Sequence, residues 1–453
     1  MHNALLPAAR SARRRIAGSI SLNPLAVAVA LACGATPSWA AESAETSATA
    51  LKAVTVTATR REQSLQEVPV AVSVVDGEQL ERDNRNNVSS IVQQVPTLNF
   101  RAGASNKDTS LFIRGVGTIS TSPGVEPTVA TVVDGVVFGR PGQSTLDLLD
   151  LERIEVLRGP QGTLFGKNAS AGVLNIVTRE APDETHGYVD YSHFGGGNEN
   201  RLRFGIGGRL TDTLKGSLST LWGNYDGNVE NVANGHDVNG YDRKGVRGKL
   251  QFEPNEDFKF TLIGDYLKGE DTIPSGIIVS TTAPALAAGL RPSEHNTKIN
   301  SDYKTYVEDT NTGLSGQADW SLGDFTLTSI TAWRVWDNTQ YQDGDRSAQL
   351  PTTASHDKGD VRYDQYSQEL RLASPKGEFL EYVVGGFYMH SRSDEVYRRE
   401  SINAGVSNSG RADYSVTNAY VLLPYFAGAL LIYFVQIMVV QSFSFLFVPV
   451  GHY

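Results

Sequence analysis

The sequence predicts an α+β domain followed by an antiparallel β-barrel of the membrane-spanning kind. Three observations lead there: an export signal at the N-terminus, short strands and helices between residues 67 and 182, and a period-two alternation of apolar and polar residues between 183 and 418. In the last region the connections are by turns short and long, as membrane barrels make them.

The first 40 residues carry the marks of a signal peptide. Arg10, Arg13, Arg14 and Arg15 supply a basic start, Leu25 to Ala32 a short apolar core, and Ser38-Trp39-Ala40 a small-x-small cleavage pattern. Cys33, the single cysteine, is expected to leave with it. Losing four arginines and no acids takes the net charge from −10 to −14, which excludes nucleic-acid binding through a general basic field.

Residues 41–66 are rich in Ala, Thr, Ser and Glu and read as a flexible extension. Inside it lies the β-branched run Ala53 to Ala58. By pattern alone this is a strand offered to a partner's sheet edge, the first strand of the next domain, or linker. In 67–182 the pattern predicts a strand at Val68–Val75, helices at Gly77–Asp83 and Asn87–Gln94, and strands at Arg153–Leu157 and Gly172–Val177. Asp134-Gly135, set between two β-branched runs, is a two-residue hairpin signal.

Beyond Thr185 the strands alternate. Leu202, Phe204, Ile206 and Leu210 face away from Arg201, Arg203 and Arg209. Val246, Leu250 and Phe252 oppose Arg247, Lys249 and Gln251, and Phe258, Phe260, Leu262 and Tyr266 oppose Lys259, Thr261 and Asp265. Tight connections fall at 211–213, 254–257, 322–324 and 374–378, and long polar ones at 226–243, 269–311, 337–363 and 391–411. The reading gives about ten strands.

Nothing in the chain argues for catalysis. Gln161 to Asn168 suggests a phosphate loop, but Gln161 stands where the first glycine belongs and Asn168 where a magnesium-binding hydroxyl belongs. The histidines are scattered: His186 and His193 sit at opposite ends of one expected strand. No cofactor and no metal site is expected.

Four segments in order carry a resemblance: Leu111 to Gly117, Val133 to Val136, Ile154 to Gly162, and Gly172 to Thr178. They resemble the plug domain of TonB-dependent outer-membrane receptors of the siderophore type. The resemblance implies a barrel of about 22 strands, so the chain is expected to end after roughly its first half. It implies that Val54, Thr55, Val56, Thr57 and Ala58 are the TonB box, presented to TonB in the periplasm. It implies a structural plug set of Arg114, Gly115, Asp134, Gly135, Glu155, Arg158, Gly159 and Gly162, with Arg114, Glu155 and Arg158 pairing their charges. Ala104, Ser105, Asn106, Ser120, Thr121 and Ser122 are the expected ligand-facing apices. The implied activity is energised uptake of an iron chelate across the outer membrane. The rival is an adhesion or structural barrel of the same membrane, which has no use for such a box.

After Asp413 the chain has no Asp, Glu, Lys or Arg, and Phe426 to Val440 is one apolar block broken by Gln436. Residues 419–453 are therefore expected to be foreign to the barrel pattern, through a shifted reading frame, or else a helical anchor.

Overall fold

A computed structural model describes residues 54–85, 87–103, 105–119, 124–272, 286, 289–291, 293–344, 353–376, 381–403, 406–426, 433–439 and 444–448. The signal-peptide expectation lies outside these residues.

The N-terminal part is built on a five-stranded sheet in the order β3-β9-β10-β7-β8. The strands are β3 (Val72–Asp76), β7 (Val129–Val133), β8 (Val136–Phe138), β9 (Leu151–Arg158) and β10 (Gly172–Thr178). Ahead of β3, β1 (Thr55–Val56) pairs with β2 (Gln63–Ser64). A separate small sheet holds β4 (Leu98–Arg101), β5 (Ser110–Ile113) and β6 (Val116–Gly117). The helix Gly77–Arg82 is capped by the Asp76 carboxylate, and Val88–Ile91 by Asn87 in a capping box. Leu80, Val88 and Ile91 from these helices pack on Ile154, Val156, Leu174 and Ile176, the core of this part. The first strand begins four residues later than the pattern suggests, and the second helix ends three earlier.

Asp134 and Gly135 both have positive φ, 45° and 82°, as the mirror-image turn of a two-residue hairpin requires. A Cβ on Gly135 would also lie 2.8 Å from Ile330 Cδ1. The Asp134 carboxylate accepts from the Thr178 amide at 2.9 Å and the Thr178 hydroxyl at 2.8 Å, tying the turn to β10.

The second part is one sheet in which ten long strands follow one another as an antiparallel meander. They are β11 (His186–Phe194), β12 (Glu199–Thr211), β13 (Leu214–Tyr225), β16 (Tyr241–Asn255), β17 (Phe258–Asp271), β19 (Tyr306–Leu322), β20 (Phe325–Asp343), β21 (Thr353–Ala373), β22 (Val383–Asn403) and β23 (Val406–Phe426). Three short strands outside the meander, β14 (Val229–Asn231), β15 (His236–Val238) and β18 (Lys298–Ile299), pair with one another.

The sheet is polar within and apolar without. On β16, Val246, Leu250 and Phe252 are each about two-fifths exposed, whereas Arg247, Lys249 and Gln251 are buried against the N-terminal part. Leu202, Ile206, Trp222, Tyr266, Leu314, Trp333, Tyr366, Leu370 and Tyr388 continue the outward apolar band. In water such a band is unfavourable by about 25 cal/mol per Å²; against lipid it is the required exterior of a membrane barrel.

Two expectations need correction. The long connections are partly strand: β20 runs to Asp343, β21 starts at Thr353, and only 404–405 separate β22 from β23. A strand needs about 9–11 residues to cross a bilayer, while β21, β22 and β23 have 21 each. Above the lipid both faces meet water, so the ladder continues without the alternation that would reveal it.

The apolar tail is also not helical where it is described. β24 (Tyr433–Val439) and β25 (Ser444–Val448) lie antiparallel along β23, and among the described residues no helix is long and apolar enough to cross a membrane. The free edge of β23 presents unpaired N–H and C=O groups, which apolar strands satisfy in place of an internal helix.

Candidate functional site

The segment Val54 to Ala58 is seated inside the N-terminal part. Val54 is exposed, but Val56 and Ala58 are fully buried among Ala130, Val132, Leu157, Phe165 and Val173. β9 and β10 place Glu155 and Asn175 opposite each other beneath it. Glu155, with no exposed surface, accepts from the Thr57 amide at 3.0 Å, from Asn175 Nδ2 at 3.0 Å and from Arg153 Nε at 2.9 Å. Asn175 Nδ2 also donates to Thr57 Oγ1 at 3.1 Å. A buried carboxylate therefore has both its charge and its lone pairs satisfied, and part of that set belongs to the docked segment.

This replaces the expected pairing of Arg114, Glu155 and Arg158. Strand alternation puts Arg153, two residues away, on the same face as Glu155, and Arg158 on the other. Arg158 instead donates toward the carbonyls of Ala71 and Val72. Arg114 is exposed at the β5–β6 hairpin, in a different sheet, with φ of 53°. Gly115 and Gly159 take the positive φ that their turns need, 78° and 94°. Gly162 opens the short helix Gly162–Phe165.

Directly after this segment, two arginines hold the chain to the sheet. Arg60 pairs with Glu369 at 3.3 Å, donates to the Leu164 carbonyl at 2.9 Å, and lies 4.3 Å over the Phe165 ring. Arg61 bonds Ser374 Oγ at 3.1 Å and the Tyr382 carbonyl beside the β21–β22 connection. Sequence reasoning passed over both, since their partners lie more than 300 residues away or in a strand face that no local pattern marks. The adjacent Arg60-Arg61 pair was the available signal.

The N-terminal part is gripped along the polar wall. Arg247 pairs with Asp134, and Lys249 donates to Thr178 Oγ1 at 2.9 Å and the Arg179 carbonyl at 2.7 Å. Asp147 receives Arg201 at 2.6 Å and Arg243 at 3.0 Å. Gln365 bonds the Val137 carbonyl of β8, 2.7 Å, and the Gly139 amide just after it, 3.2 Å.

At the opposite end from the docked segment, Ser105 is buried and Asn106 donates to Asp309. Asp309 also accepts from Trp336 Nε1 at 2.8 Å and Asn338 Nδ2 at 2.9 Å. Lys107 pairs with Glu395. A cavity of about 220 Å³ opens beside them, lined in part by Gly103, Asn106, Tyr241, Arg243 and Asp271. Of the expected apices, Ala104, Ser120, Thr121 and Ser122 lie outside the described residues.

Asp108 gives this end a pH dependence. Burial pushes its carboxyl from 3.8 up to about 6, against the opposing pull of Lys107. The folded form thus holds the proton more tightly than the unfolded one. Its contribution is present at low pH and is lost as pH rises through about 6. Asp108→Asn is expected to flatten the dependence of melting temperature on pH between about 4 and 7; an unchanged slope would show that Asp108 does not titrate there.

A plug domain set against the polar wall of a membrane-type sheet defines the class. Residues 64–173 match the family model of the TonB-dependent Receptor Plug Domain. The chain is 27% identical over 354 residues to the probable TonB-dependent siderophore receptor PirA of Acinetobacter baumannii, covering 70% of this chain and 44% of that protein. It is 30% identical over 202 residues to the ferric enterobactin receptor of Pseudomonas aeruginosa, covering 41% and 27%. The ferric yersiniabactin uptake receptor FyuA of Yersinia pestis shares the fold with a TM-score of 0.64 at 21% identity, over 78% of this chain and 53% of that one. Residues 64–173 thus carry a TonB-dependent receptor plug domain, and the chain as a whole shares the fold of the corresponding part of FyuA. The chain spans about half the length, or less, of these relatives.

Proposed function

We propose that the chain is the plug and opening barrel of a receptor for energised uptake of a scarce ligand, above all a ferric siderophore or similar iron chelate. The observation that carries this reading is the docked segment Val54 to Ala58, its Val56 and Ala58 buried at one end of a plug that polar contacts hold to the barrel wall. In this reading residues 41–66 form the TonB-reaching extension, 67–182 the plug and 183–418 the barrel part. The ligand settles on the outer face near the Ser105–Asn106 end. TonB grips the released segment as an added strand, and the pull breaks the polar contacts with the wall one group at a time. No bond of the ligand needs to change, so binding and gating are the whole task. The names of PirA, the ferric enterobactin receptor and FyuA, each a siderophore or ferric-chelate receptor, support the choice of ligand class.

The test is deletion of Val54 to Ala58 in a receptor carrying this plug, with radioiron-labelled chelates supplied to iron-starved cells. Uptake is expected to vanish while surface binding persists. Uptake that survives the deletion contradicts the reading, as does the absence of binding for every chelate offered. An adhesion barrel would be indifferent to the deletion.

A further inference from the structure

The segment between β18 and β19 lies over the upper ends of β20 and β21. Asn231, at the end of β14, donates to the Ser301 carbonyl at 2.8 Å and accepts from the Ser301 amide at 3.1 Å. Ser301 Oγ donates to the Asp343 carboxylate. Tyr303 stacks on His356 with ring centroids 4.0 Å apart and planes 11° from parallel. Asp343 and His356 are direct cross-strand partners. With Asp302 from the overlying segment they bring two carboxylates and an imidazole within 4.8 Å of one another.

We propose that Asp302, Asp343 and His356 bind a divalent transition ion of the zinc type, which clamps the segment 300–304 to the rim of the sheet. The donor set selects the class of ion: imidazole with carboxylates suits zinc and its first-row neighbours, whereas calcium takes oxygen donors. His356 Nε2 is closed off from solvent and makes no hydrogen bond among the described residues. A buried polar atom left in that state is unfavourable, a deficit that a metal bond removes. The three ligands come from separate elements, and the Tyr303 stack and the Asn231–Ser301 pair hold them near one another without an ion. Donors around a tetrahedral ion with bonds of about 2.0–2.2 Å stand about 3.4 Å apart, so side-chain rotations that draw the three groups in from within 4.8 Å of one another complete the site. Asp302 is exposed, which leaves a remaining coordination position to water.

The full chain, purified in detergent, is titrated with Co²⁺, read by visible absorption, and then challenged with Zn²⁺ and Ca²⁺. One Co²⁺ per chain is expected, displaced by Zn²⁺ and untouched by Ca²⁺. Even groups behind a metal ligand are worth about 10–100-fold in affinity, so His356→Gln is expected to weaken binding by more than about a hundredfold. Asp302→Asn, on an exposed side chain that does not threaten folding, is expected to weaken it at least about tenfold. His193→Gln, on β11, is the control and leaves binding unchanged. Zn²⁺ is also expected to slow proteolysis within 296–304 in the parent and not in Asp302→Asn. Absence of binding, displacement by Ca²⁺, or weak binding that Asp302→Asn and His356→Gln leave unaltered overturns the proposal; the last would mean an adventitious ion only.

Discussion

Replacing Glu155 by alanine is expected to unseat Val54 to Ala58 and to lower stability by about 3–5 kcal/mol, the usual cost of stranding one partner of a buried ion pair. The carboxylate has no exposed surface and anchors four groups: the Thr57 amide and hydroxyl, Asn175 Nδ2 and Arg153 Nε. Without it, Arg153 keeps, among the described residues, the more exposed Glu152 as its ion-pair partner. The Thr57 amide loses its acceptor inside an apolar cluster. Glu155→Gln keeps an acceptor for Thr57 but no charge for Arg153, and is expected to fall between alanine and the parent. The readouts are the denaturant midpoint and the reactivity of a cysteine placed at the buried Ala58. If Ala58→Cys reacts with maleimide no faster in the Glu155→Ala background, the seat does not depend on this carboxylate.

Asp265→Ala on β17 is expected to have a comparable effect at the wall. Arg334 reaches both carboxylate oxygens, at 2.6 and 3.2 Å, and Arg247 approaches to 3.7 Å. Both guanidiniums are nearly enclosed, and Arg334 also lies 4.2 Å over the Phe138 ring of β8. Removing the acid strands the buried Arg334 beside Arg247, which keeps Asp134, a loss of about 3–5 kcal/mol, and loosens β8 together with the Asp134 turn that Arg247 holds. Thermal unfolding in detergent measures the first effect, and protease cleavage near residues 134–138 the second. Thr339→Ala, an outward substitution above the lipid band, is expected to move neither. A mutant with parental protection at the turn would show that the wall grips the plug elsewhere.

The alternation on β16 was readable because lipid and the polar interior demand opposite side chains at every step from Val246 to Phe252. The Asp134-Gly135 hairpin was readable because few residue pairs accept two positive φ angles. What stayed hidden was whatever depends on distant partners. Nothing local ties Arg61 to a carbonyl at Tyr382, or Asn106 to Asp309. The run Ala53 to Ala58 could be read as strand, offered edge or linker, and only the Glu155 site decides that it is docked. Asp302, Asp343 and His356 are spread over 54 positions with no metal-ligand spacing, so sequence alone gave no reason to group them. The ladders above the lipid were mistaken for loops because water on both sides removes the constraint that makes strands legible.

The account depends most on which way neighbouring residues of one strand point. Cysteines placed at Leu250 and Gln251 of β16, one variant at a time, would carry an environment-sensitive fluorophore in lipid vesicles containing a spin-labelled acyl-chain quencher. The label at 250 should be strongly quenched and the label at 251, against the Ala181 amide, should not. Equal quenching at both positions, or stronger quenching at 251, would contradict a sheet with lipid on one face and the plug on the other.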